Sequence, residues 1–191
     1  MARLSCRERL IEAGIETLHG RGFNACGVQE IADAAGAPKG SFYNHFASKE
    51  EFGAEVVERY WQRSTLRKIL SDRSLTPRTR LQRYFAALGR ALAGIGYERG
   101  CLIGNFSAEL ADQSRLIRDR LTSLFAGWVR LVETCIREAQ AAGEVRKDAN
   151  AATLAAFVVN AWEGAVLRAK VEKDGSALDD FMTVVFSSLL I

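Results

Sequence analysis

The sequence predicts an all-α fold. Three observations carry that reading. Only 2 of the 191 residues are proline, and the good helix formers Ala, Leu, Arg and Glu are abundant. Apolar residues recur at three- and four-residue spacing, and no stretch alternates residue by residue as a half-buried strand would. Capping patterns and glycines cut the periodic stretches into about nine helices.

The first helix starts near Ser5, which pairs with Glu8 in a capping box. Its apolar stripe is Leu10, Ile11, Gly14, Ile15 and Leu18, and Gly20 and Gly22 end it. Phe23 is expected to join a small core with Phe42 and Phe46. The stretch from Gly27 to Lys49, GVQEIADAAGAPKGSFYNHFASK, reads as two short helices around a tight turn. Ile31, Ala34 and Ala35 mark the apolar face of the first, with the small Ala32 beside them. Gly36 suits a left-handed turn, and Pro38 suits the first turn of the next helix. In that helix Phe42 and Phe46 lie four apart and face inward, which leaves Lys39, Ser41, Tyr43, Asn44 and His45 outside. A cation, a hydroxyl, a phenol, an amide and an imidazole are the groups that bond phosphates and base edges.

Ser48 and Glu51 form a second capping pattern and open a long helix, with Phe52, Val56, Tyr60 and Trp61 inside, predicted to run to about Asp72. Thr76-Pro77 caps the next, which carries Leu81, Tyr84, Phe85, Leu88 and Leu92. Gly94 to Gly100 is irregular. Asn105 is read as the cap of a short helix to about Ala111. Ser114 opens a long helix with Leu121, Leu124, Phe125, Trp128, Leu131, Val132, Cys135 and Ala139, stopped by Gly143. Asp148 is read as the next cap, ahead of Leu154, Phe157, Val158, Ala161, Ala165 and Val166. Ser176 and Asp179 are read as a last capping box, ahead of Leu178, Phe181, Met182, Val185, Phe186 and Leu189. The last two helices are apolar on more than one side. They either pack onto their own core or pair with a second copy in a four-helix bundle.

The Gly27–Lys49 segment resembles the N-terminal helix-turn-helix of the TetR family of transcriptional regulators. The matching pieces are Ile31-Ala32, Ala35-Gly36, Lys39-Gly40-Ser41-Phe42-Tyr43, Phe46 and Ser48-Lys49-Glu50. The match is ungapped. One departure is Gly27, where the family often carries a hydroxyl; glycine can cap there but offers no side-chain contact to a phosphate. The plain alternative is an αα-hairpin that only packs. The resemblance implies three N-terminal helices over residues 1–47 and a six-helix ligand-binding and dimerisation domain over 48–191. It also implies a homodimer through the last two helices, a double-stranded DNA operator and a small-molecule effector. Repression is the family's commoner mode. The DNA-binding set is then Lys39, Gly40, Ser41, Tyr43, Asn44, His45 and Lys49. Lys39, Tyr43 and Lys49 are assigned to phosphates and Ser41, Asn44 and His45 to bases; for His45 a capping role competes.

Residues 100–114, GCLIGNFSAELADQS, resemble the sensor region of a branch that includes electrophile-responsive repressors of the N-ethylmaleimide-repressor kind. Gly100-Cys101-Leu102, Asn105, Glu109-Leu110-Ala111 and Ser114 carry it, and in those relatives a cysteine at the place of Cys101 is the reactive one. A helix start and Arg99 nearby favour a thiolate. The other reading of Cys101 is a small apolar side chain filling a gap. Candidate pocket walls are Trp61, Phe85, Leu88, Leu92, Cys101, Asn105, Phe106, Phe125, Trp128 and Trp162, each of which also suits an ordinary core position.

The composition narrows the function further. Net charge is only +3, and residues 1–50 hold six basic and six acidic side chains, so DNA binding must rest on where charge sits. No run is long enough to span a membrane and no signal peptide opens the chain, which makes the cytoplasm the expected location. The four cysteines form no C-x-x-C and there are two histidines, so no metal or other cofactor is expected. No G-x-S-x-G, phosphate loop, dinucleotide fingerprint or H-E-x-x-H is present, which argues against an enzyme.

Overall fold

The computed structural model describes residues 4–191; Arg3, counted among the basic residues above, lies outside them. Among the described residues there is no strand, and nine α-helices follow one another: α1 Cys6–Arg21, α2 Val28–Ala34, α3 Lys39–Tyr43, α4 Lys49–Arg63, α5 Pro77–Ala93, α6 Leu102–Leu110, α7 Arg115–Ala141, α8 Ala151–Glu172 and α9 Ser176–Val184. A 3₁₀ segment, Leu66–Ser71, precedes α5, and a π turn, Val185–Leu189, continues α9. The helices form two compact units. One holds residues 1–63 and 101–124, the other 64–100 and 125–191.

The first unit begins as its caps dictate. Ser5 accepts from the Glu8 N–H, and the Glu8 carboxylate accepts from the Ser5 N–H at 3.0 Å. The helix-turn-helix has a phenylalanine centre: Phe42, Phe46 and Phe52 are buried, with ring centroids 4.9–5.3 Å apart. Gly14 lies against Phe52, where a Cβ would come within 2.3 Å of the ring, so α1 approaches α4 closely. Phe23 departs from the expectation. It is buried, but its ring partner is Phe106 of α6, at 5.8 Å, instead of Phe42 or Phe46. Ala34 is exposed while Ala35 is buried, because a seven-residue helix presents only a narrow inner stripe.

Several predicted boundaries move. α4 stops at Arg63 instead of near Asp72. Ser64 and Thr65, poor helix formers, interrupt it, and the Arg80 guanidinium then takes the Leu70 carbonyl at 2.9 Å and holds the 3₁₀ segment on α5. α6 starts three residues before Asn105, with Cys101 as its N-cap, because Gly100 at φ +67° turns the chain and Leu102, Ile103 and Phe106 can bury at once. The cap of α8 is Asn150, which accepts from the Ala152 and Thr153 N–H groups, while Asp148 pairs with Arg146. Ser176 is the first residue of α9 and not its cap; Asp174 accepts from both its N–H and its hydroxyl. Pro38 caps α3 in place of opening it.

In the second unit Phe85, Trp162 and Phe181 stack as a trio with centroids 5.1–5.2 Å apart. Arg80, 3% exposed, pairs with Glu138 at 2.5 Å, and Arg73 reaches the same carboxylate at 2.9 Å. Burial pushes the Glu138 carboxyl upward, but the two arginines outweigh it and hold the group below its usual 4.5. Arg78 fastens the chain end, donating to the carbonyls of Phe186 and Leu190. Outside the core, α8 keeps an apolar stripe in the open: Phe157 is 54% exposed, Leu167 61% and Val171 72%.

Candidate nucleic-acid interface

α3 has five residues, too few to persist alone. It is held from both sides. Phe42 and Phe46 anchor it in the aromatic centre. The turn before it is closed by the Ala37 N–H bonding the Ala32 carbonyl at 2.9 Å, with Gly36 at φ +60°. Arg9 of α1 donates to the carbonyls of Ala35 and Gly36, at 3.0 and 3.2 Å. These C-terminal carbonyls of α2 are where a cation is favoured. Arg7 adds its guanidinium 5.3 Å from the Phe46 ring centroid and pairs with Glu55. Neither arginine was singled out from the sequence. Only the basic residue type at a first-turn position was readable, and its target 26 residues away was not.

Lys39, Gly40, Tyr43, Asn44 and His45 are exposed, and Ser41 is half-buried. Tyr43 stands 55% exposed with its ring edge on Phe42, 5.3 Å between centroids. The structure thus brings six of the seven expected DNA-facing residues onto α3 and the turn after it. Lys49 lies apart: its ammonium donates to the Phe23 carbonyl at 2.6 Å and sits 4.2 Å from the Phe23 ring centroid. The balance of charge also becomes clear. Arg7, Arg21 and Arg63 are each paired with a glutamate, whereas Lys39 has no ion pair among the described residues. Gly27 caps α2 without a side chain, and Glu30 accepts the Gly27 N–H at 2.7 Å while bonding Arg21. Those bonds hold the Glu30 carboxyl below its usual value.

The expected pocket residues divide between the units. Trp61, Cys101, Asn105 and Phe106 belong to the first. Phe106 is fully buried against Phe23, and Cys101 is half-buried at the α6 N-terminus. Phe85, Leu88, Phe125, Trp128 and Trp162 belong to the second. There Phe85 and Trp162 border a cavity of about 300 Å³, with Arg90, Tyr97, Leu178, Asp179 and Met182 around it. Arg90 and Tyr97 line it without any local sequence signal, since the cavity closes through α9. Among the other thiols, burial pushes Cys135 up to about 11 and also raises Cys26. Among the described residues no group of His, Cys, Asp and Glu is arranged to hold a metal ion, and no helix is long and apolar enough to cross a membrane.

Residues 10–56 match the family described as bacterial regulatory proteins, tetR family, and residues 77–185 match the Tetracyclin repressor-like C-terminal domain. The whole chain is 44% identical to the HTH-type transcriptional repressor DhaR of Mycobacterium sp. (strain GP1) and covers 95% of it. The chain belongs to the TetR family. This regulator is also 28% identical, over 94% of its length and 91% of the relative's, to the HTH-type transcriptional repressor NemR of Escherichia coli (strain K12). A crystal structure of regulatory protein TetR from Rhodobacter sphaeroides superposes with a TM-score of 0.90 at 36% identity, covering 97% of this chain and 99% of the other. With that membership the helix-turn-helix is a DNA-binding element, and the chain is a ligand-responsive transcriptional regulator and not an enzyme.

Proposed function

We propose that the regulator is a cytoplasmic homodimeric repressor that leaves its operator when a small molecule, or a modified Cys101, stabilises a state with the reading heads wrongly spaced. The observation that carries this reading is the two-sided build of α3 and the turn after it: Phe42 and Phe46 buried, Lys39, Tyr43, Asn44 and His45 exposed. Two such helices would enter successive major grooves about 34–36 Å apart on a near-palindromic site. Lys39 and Tyr43 contact phosphates, and Gly40 lets the backbone come close. Ser41, Asn44 and His45 face base edges. Lys49 uses one of its three donors on Phe23 and retains two for a phosphate. Residues 1–47 act as the reading head, and 48–191 carry the effector and dimer functions.

The dimer reading is supported by the stripe Phe157, Leu167 and Val171 on α8, joined by Val184 on α9, 56% exposed. Gly164 interrupts that stripe with open space where a Cβ would sit, which permits close approach of a second helix. The aromatic cavity of the second unit suits a small apolar effector, with Arg90 available to an acidic group. For Cys101, the α6 N-terminus favours a thiolate. Its attack on a soft electrophile would form one C–S bond, expel the leaving group and place bulk at the cap. A gel shift with the DNA upstream of the chain's own gene tests the whole. Wild-type protein should retard it and be released by iodoacetamide, and Cys101→Ser should stay bound. Retardation that survives alkylation in both would contradict the thiol branch, and no retardation would contradict the repressor.

A further inference from the structure

The loop between α1 and α2 is held by a residue far from the reading head in sequence. Glu109, in the last turn of α6, accepts the Phe23 N–H at 2.9 Å through one carboxylate oxygen and the Asn24 N–H at 2.6 Å through the other. Gln113 accepts from the Asn24 amide at 3.1 Å. Phe23 is gripped on its remaining sides: Lys49 of α4 takes its carbonyl at 2.6 Å, and Phe106 of α6 meets its ring edge-on. Gly22 makes room, since it sits at φ +91° and a Cβ there would lie 3.2 Å from the Glu109 carboxylate. Three residues past Asn24, Gly27 caps α2, which packs on α3.

Glu109 is in an unfavourable place for its own helix. A carboxylate in a C-terminal turn opposes the helix dipole, so α6 gains nothing locally from it. A local conflict of that kind is expected where a side chain serves something else. We propose that Glu109 is the positioning residue by which α6 sets the reading head: its carboxylate fixes the start of α2, and through α2 the placement of α3. Any displacement of α6 then reaches the head by way of this carboxylate. The inference deepens the repressor reading above and rests on it for the link to DNA.

The test is Glu109→Gln in the full chain. The amide has nearly the same shape but presents an NH₂ where one of the two N–H donors needs an acceptor, so at most one bond survives. Two readouts are taken. Hydrogen exchange, without DNA, should show lost protection at the Phe23 and Asn24 amides and faster exchange through α2 and α3, with the aromatic centre unchanged. Operator binding should weaken about tenfold, the size of an ordinary coupling between sites, with the salt slope unchanged because the phosphate contacts are the same. Gln113→Ala, which removes only the Asn24 side-chain bond, should give a smaller effect of the same kind. Unchanged exchange at Phe23 and Asn24 would overturn the latch whatever the DNA result. Changed exchange with wild-type operator affinity would overturn its positioning role. Wild-type protein that fails to bind operator would instead sink the repressor reading, and the exchange result would still decide the latch.

Discussion

α3 presents a polar surface, whereas α8 carries an open apolar stripe among its exposed residues. Lys39, Tyr43, Asn44 and His45 surround one face, and Phe157, Leu167 and Val171 line the other. Both surfaces are held in place by buried aromatics: Phe42, Phe46 and Phe52 beneath α3, Phe85, Trp162 and Phe181 beneath α8. Each surface suits a different kind of neighbour. A polar face whose Lys39 has no ion pair among the described residues matches a hydrated phosphate backbone, and an apolar stripe with a central glycine matches another helix.

Charge introduced on the apolar face should break this contrast most. Leu167→Glu should convert a dimer to a monomer in sedimentation and cost roughly a hundredfold in operator affinity, since linked heads bind far more tightly than single ones. A dimer of unchanged mass would remove the functional contrast between the faces. A smaller effect is expected inside the second unit, at Glu138. Its carboxyl titrates below 4.5 when folded, so it binds fewer protons folded than unfolded. The stability this supplies is present above about pH 4.5 and is lost as pH falls through the folded value. Glu138→Gln should therefore cost roughly 1–3 kcal/mol at neutral pH, the cost of leaving buried Arg80 under-satisfied. Thermal melts of the two proteins should converge as the pH falls through the folded value of this carboxyl; a gap constant with pH would show that the ion pair contributes nothing.

How much of this was legible in the sequence depends on distance along the chain. Signals within four residues were readable: the Ser5–Glu8 box, the Gly36 turn and the inward pair Phe42 and Phe46 all hold. Competition among neighbouring cap candidates was not. Asn150 displaces Asp148, and Cys101 displaces Asn105, because the cap falls where the first apolar residues can bury. Long-range partners were invisible. Arg9 finds carbonyls 26 residues away, and Glu109 finds an amide 86 residues away. No local pattern separates such residues from the many solvated Arg and Glu around them. The exposure of Lys39, Tyr43, Asn44 and His45 was legible because those side chains are what remains once Phe42 and Phe46 are buried. Of the cavity lining only Phe85 and Trp162 were legible, because the rest assembles from residues of α5, the turn after it and α9.

The central claim is that α3 reads duplex DNA with its polar side chains. The direct measurement is operator affinity against salt for wild type, Lys39→Ala and Tyr43→Ala, with melting curves as control. Both variants should melt close to wild type, since exposed substitutions change stability by about 0.5 kcal/mol or less. Each should bind more weakly, and Lys39→Ala should lower the slope of log affinity on log salt by about 1. Wild-type affinity and slope in both variants would contradict the account.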